Sequence, residues 1–135
     1  FGHGPVFWAE ISRLETPAQR KTVFRPDGTQ VGWNPPSGPI QEEGVVPKLF
    51  RRYPNLFGDL SDASPWNALS RDQNYGPQFL TEFQDRLFFG TDICFAGMPF
   101  PMRDLLMEWR EMGTIEERVF QKVARENAVR LLGLE

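Results

Sequence analysis

Cysteine is nearly absent from this chain: its 135 residues hold one, Cys94. A lone thiol forms no intramolecular disulfide, so a reducing cytoplasm is the expected compartment. Histidine is equally scarce, represented by His3 alone. Positive charge does not dominate either: 15 bases face 18 acids, a net charge of −3, with no basic stripe to attract nucleic acid. No apolar run approaches the roughly 20 residues that a membrane helix needs. Nucleic acid and membrane are therefore not expected partners. Repeats and low-complexity tracts are missing too. What is present is 40% hydrophobic residues, including 12 Phe and 4 Trp, an ordinary globular composition that suits one domain over residues 1–135. Those aromatics can fill a core or leave a patch where further partners pack.

The sharpest local signal is Leu87-Phe88-Phe89-Gly90-Thr91-Asp92. A short apolar run between helical patterns reads as a strand buried on both faces, the product of a parallel α/β sheet. Such folds place their chemistry at the carboxyl ends of strands, where Asp92 stands. From the residues alone, Asp92 reads first as a cap of the turn that follows. Leu56-Phe57-Gly58-Asp59-Leu60-Ser61 is a second short strand, and Phe1-Gly2-His3-Gly4-Pro5 reads as a strand end entering a turn.

Helical patterns lie between these strands. Residues 6–12 suit a short helix. Residues 45–52 carry Val45, Val46, Leu49 and Phe50 on one face and stop before Pro54. Ser64 and Pro65 suit a helix start. Residues 76–86 bury Phe79, Leu80 and Phe83. Residues 101–112 place Met102, Leu105, Leu106 and Trp109 at i, i+3, i+4 and i+7, with Gly113 as the stop. Thr114 and Glu117 form a capping box before a last helix striped by Ile115, Val119 and Val123. Residues 13–43, rich in Pro and Gly, read as one long loop, in which Trp33 anchors the loop or serves as a lid. Only about two and a half βα units are visible, the chain starts in mid-pattern without an initiator Met, and a barrel needs eight units. The expectation is a piece of a larger barrel.

Four segments in order carry a more specific likeness: Phe1-Gly2-His3-Gly4-Pro5; Tyr53-Pro54-Asn55-Leu56-Phe57-Gly58-Asp59-Leu60-Ser61; Asp85-Arg86-Leu87-Phe88-Phe89-Gly90-Thr91-Asp92; and Glu126-Asn127-Ala128-Val129-Arg130-Leu131-Leu132-Gly133-Leu134. Together they resemble the C-terminal half of the amidohydrolase-related family, the metal-dependent (β/α)8 TIM barrels that include aminocarboxymuconate semialdehyde decarboxylase and related hydrolases. The resemblance implies an α/β fold made of about strands six to eight and the helices that follow them. It also implies an enzyme that uses a divalent metal, zinc by expectation, to activate water and hydrolyse a C–N or C–O bond of a small molecule. Decarboxylation of a small unsaturated or aromatic carboxylic acid is the alternative. A non-catalytic α/β binding module without a metal site is the alternative from another class.

Under the resemblance, Asp92 is the metal ligand that also takes a proton from the attacking water, as a carboxylate near a metal-bound water of pKa about 7 can do. His3 is the acid, base or electrostatic stabiliser beside it, a task suited to imidazole's pKa of about 6.5. Trp8, Trp66 and Phe95 are candidate walls for a flat carboxylated substrate, or core packing. Asp59 and Asp62 read first as solvated turn acids, with ligand orientation as the other reading. The family's remaining ligands, a His-x-His on strand one and a histidine on strand five, have no counterpart in these residues. The expectation is a chain inactive by itself that forms a homo-oligomer or associates with a missing N-terminal half.

Overall fold

A computed structural model describes residues 1–20, 22–24, 30–33 and 35–134. The first helix, α1 (Gly4–Ala9), starts two residues earlier than its sequence pattern and buries Trp8 and Ala9, whereas Val6 is exposed. Residues 13–43 are not the single loop their composition predicts. They contain a 3₁₀ turn (Pro17–Arg20) and an antiparallel pair, β1 (Thr22–Phe24) with β2 (Gln30–Trp33). Pro26 and Gly28, on which the loop expectation leaned, lie outside the described residues, as does the side chain of Trp33.

The helix α2 (Val45–Arg52) has the predicted bounds and buries Val46 and Phe50, while Val45 faces solvent. Next come β3 (Gly58–Asp59), α3 (Ala63–Ser70), α4 (Tyr75–Glu82) and β4 (Leu87–Phe88). The chain closes with α5 (Pro101–Glu111), α6 (Glu117–Gln121), a π-helical turn (Lys122–Glu126) and α7 (Asn127–Leu132). Two predicted caps are not made. Asp62, not Ser64, precedes α3, and α6 starts after Glu116 without a side-chain cap. Glu117 instead accepts hydrogen bonds from Arg110 and Gln121, so the Thr114–Glu117 capping box gives way to bonds with neighbouring residues.

β3 and β4 pair in parallel, with Gly58 opposite Leu87 and Asp59 opposite Phe88. Gly2 pairs in parallel with Gly58 on the other side of β3. Three parallel segments therefore lie side by side in chain order. Side chains alternate between the two faces of such a sheet. One face sends Leu60 and Leu87 into the core, where they join Trp8, Phe50, Phe79, Leu80 and Trp109, all almost fully buried. The other face carries Phe1, Phe57 and Phe88, whose ring centroids lie 5.4–5.6 Å apart. Among the described residues no helix is long and apolar enough to cross a membrane.

Candidate acid–base site at the ends of the parallel strands

Parallel strands deliver the residues that follow them to one edge of the sheet, which is why His3, Asp59 and Asp92 meet although 56 residues separate the first two. His3 has extended backbone, with φ −148° and ψ 154°, and its ring makes no capping bond to α1. The imidazole is free to turn towards the strand ends. Its Nδ1 lies 3.0 Å from Asp59 Oδ2, and its Nε2 lies 3.7 Å from Asp92 Oδ2. The first distance is a hydrogen bond. The second is too long for one, so Nε2 and the Asp92 carboxylate flank a gap.

Asp59 is not a solvated turn acid. Its carboxylate accepts the Ser61 amide at 2.9 Å through Oδ1 and the Ser61 hydroxyl at 2.8 Å through Oδ2. Its carbonyl accepts the Trp8 indole N–H at 3.0 Å. Ser61 is buried, 4% exposed, and sequence reasoning passed it over. The signal that reveals it is the i, i+2 spacing of Asp59 and Ser61, which puts both on one face of an extended strand.

Asp92 and Asp62 are the only described non-glycine residues with positive φ, 51° and 69° respectively. Asp62 combines φ 69° with ψ −178°, a region that is nearly glycine-only and costs about 1–3 kcal/mol. Both strained residues sit just past strand ends, at the edge where the site forms. Among the described residues the Asp62 carboxylate accepts the Ser64 hydroxyl, at 3.4 Å, and does not join the His3 cluster.

The three aromatic candidates are not brought together. Trp8 is fully buried and presents no surface to a ligand, so its position is that of a support beneath Asp59 rather than a substrate wall. Trp66 is half-buried against the core. Phe95 is exposed in the segment between β4 and α5. Cys94 is exposed as well, its thiol 3.4 Å from the Asp92 carbonyl.

Residues 34–134 match the sequence profile of the family described as Amidohydrolase. The chain belongs to that family. Asp59 and Asp92 fall inside the matched range and His3 outside it. No curated protein and no solved structure matches the chain. Amidohydrolases of this family are TIM-barrel proteins that generally use divalent metals, and the family suggests hydrolase or related decarboxylase chemistry. The donors at hand do not complete a metal centre. Asp59 lies on the Nδ1 side of the His3 ring, away from Asp92, which leaves His3 Nε2 and Asp92 as the two donors that face each other. No group of three or more His, Cys, Asp or Glu able to hold an ion exists among the described residues. Zinc takes at least three protein ligands.

Proposed function

We propose that this amidohydrolase chain supplies the acid–base side of a hydrolytic site, with Asp92 as the base that receives a proton from water and His3 as the group that stabilises or protonates the reacting oxygen. The observation that carries this reading is the 3.7 Å gap between His3 Nε2 and Asp92 Oδ2 at the edge where the parallel strands end. Neither group makes a hydrogen bond to the other at that distance, so each keeps capacity for an atom that approaches both from the open side. A divalent ion at Asp92 would need more ligands than the donors brought together among the described residues, and when bound it would make its water more acidic.

The same proposal assigns the segment at Gly2, β3 and β4 to the sixth, seventh and eighth strands of a TIM barrel, with a likeness to the aminocarboxymuconate semialdehyde decarboxylase group. Two features support it: the parallel order of the three segments, and the aromatic layer of Phe1, Phe57 and Phe88 on the face turned away from the helices. That layer corresponds to the packed interior of such a barrel. Of the aromatic candidates, Trp66 and Phe95 retain surface that a flat substrate can meet.

The test is turnover by the protein assembled with a complete metal site, which this chain alone is not expected to form, on a panel of small amides, lactones and carboxylic acids, with product analysis. His3→Ala is expected to keep metal content and lower turnover by about 10²–10⁴-fold, the usual value of one acid–base group. Asp92→Asn is expected to lower both turnover and metal affinity. Release of carbon dioxide without water addition would assign the decarboxylase reaction instead, and near-normal turnover in His3→Ala would remove His3 from the mechanism.

A further inference from the structure

We infer that Asp59, Ser61 and Gly90 form a seat that holds the hydrogen on Nδ1 of the neutral His3 ring, so that Nε2, which faces the gap beside Asp92, is the ring atom that accepts a proton and, once protonated, donates it to the reacting oxygen. The inference takes its functional meaning from the acid–base reading of His3, but its geometry stands separately. A carboxylate only accepts hydrogen bonds, so Nδ1, 3.0 Å from Asp59 Oδ2, must carry the hydrogen in the neutral ring. Ser61 Oγ also lies near Nδ1, at 3.4 Å, but its proton is committed to Asp59 Oδ2 at 2.8 Å. The serine therefore holds the carboxylate and does not compete for the ring.

The seat itself is held from three sides. The Ser61 amide fixes Asp59 Oδ1, the buried Trp8 indole fixes the Asp59 carbonyl, and Gly90, two residues past the end of β4, leaves the carboxylate its room. A Cβ at position 90 would stand 3.1 Å from Ser61 Cβ and 3.2 Å from Asp59 Oδ1, closer than side chains normally pack. A side chain at 90 would push Ser61 and Asp59 aside by a few tenths of an ångström, so glycine there leaves the seat undisturbed. A histidine's tautomer is set by the bond that its other ring nitrogen makes, and here that bond is made by a carboxylate that is itself held by the Ser61 amide and hydroxyl. Asp59 acts through His3 and is a positioning residue.

Because His3 is the sole histidine in the sequence, imidazole ¹⁵N spectra of the chain report this one ring without assignment. At a pH where the ring is neutral, the native chain is expected to show a pyrrole-like Nδ1 and a pyridine-like Nε2. Asp59→Ala is expected to give the exchange-averaged pattern of a free imidazole, and Asp59→Asn to move hydrogen towards Nε2, since an amide can donate to Nδ1. Ser61→Ala is expected to keep the native pattern with a broader line. An Nε2–H or averaged pattern in the native chain would overturn the inference, as would an Asp59→Asn spectrum identical to the native one. Should Asp59→Ala fail to fold by its amide spectrum, the native and Asp59→Asn patterns decide. A native Nδ1–H pattern together with undiminished turnover in His3→Ala would keep the seat and remove only the acid–base role.

Discussion

Single side chains govern the site and its link to stability. His3 Nε2 and Asp92 are two donors where zinc needs at least three, so the chain alone is expected to retain no stoichiometric zinc after dialysis against a weak chelator. Elemental analysis checks this, and a one-to-one content lost in Asp92→Ala would show that these donors suffice. Away from the site, the Arg51 guanidinium bonds both Glu43 and Glu82, and the Tyr75 hydroxyl donates to Glu43 at 2.8 Å. The hydrogen bond from Arg51 holds the Glu43 carboxyl below the usual glutamate range, against the opposing effect of burial and with help from Tyr75. A carboxyl with a depressed folded pKa contributes stability above its unfolded value of about 4.3 and loses it as pH falls through the folded value. Glu43→Gln should therefore cost about 1 kcal/mol at pH 7, with the difference from wild type shrinking below about pH 4 in denaturant titrations. A pH-independent difference would remove the ion pair as the cause.

Elements are tied to one another by side chains that bond backbone. Arg86, at the start of β4, donates to the carbonyls of Phe50 and Tyr53, and so fastens the end of α2 to the sheet. Asn127, 2% exposed, donates through one amide to the carbonyls of Gln84 and Leu87 at 2.6 and 2.8 Å. Within the π-helical turn before it, the Val123 carbonyl accepts the Phe89 amide at 3.0 Å, a bond that joins the last helices to the end of β4. Asn127→Leu removes two bonds and leaves two buried carbonyls unpaired, at about 1–3 kcal/mol for each unsatisfied group. The expected outcome is a loss of about 2–6 kcal/mol on that basis, read from the urea midpoint. A change below about 0.5 kcal/mol, the range of ordinary surface substitutions, would show that water replaces the amide at no cost.

At the scale of the whole molecule, the helices cover one face of the parallel segments and leave the other with the Phe1, Phe57 and Phe88 rings, of which Phe1 is 73% exposed. Strand segments of this kind also present unpaired edges. We therefore expect this chain, by itself, to associate with copies of itself or with the rest of a barrel, through edge pairing or through the aromatic face. Light scattering should report species larger than the monomer, with binding of a hydrophobic dye. A monodisperse monomer with cooperative unfolding and no dye-accessible apolar surface would overturn both this expectation and the barrel assignment of the strands.

Local order was legible from residue order because it depends on neighbours a few positions apart. The span of α2, the buried face of α5 at Met102, Leu105, Leu106 and Trp109, and the position of β4 all follow from helical or strand periodicity. The β1–β2 pair carried a local signal too, Pro26-Asp27-Gly28 between two short runs of strand-forming residues, which the surrounding Pro and Gly content obscured. Other features had no local signature. Trp8 becomes a buried donor to Asp59 only when α1 is laid over β3, and Glu117 abandons its capping box because Arg110 and Gln121 arrive beside it. The site belongs to this second class: His3 and Asp59 are 56 positions apart, and Gly90 matters only because β4 runs beside β3, which brings the residues after the two strands together. Periodicity reaches one or two turns along a chain, while a catalytic grouping is set by which strands become neighbours, so the residue types were readable in order but their meeting was decided by the parallel pairing.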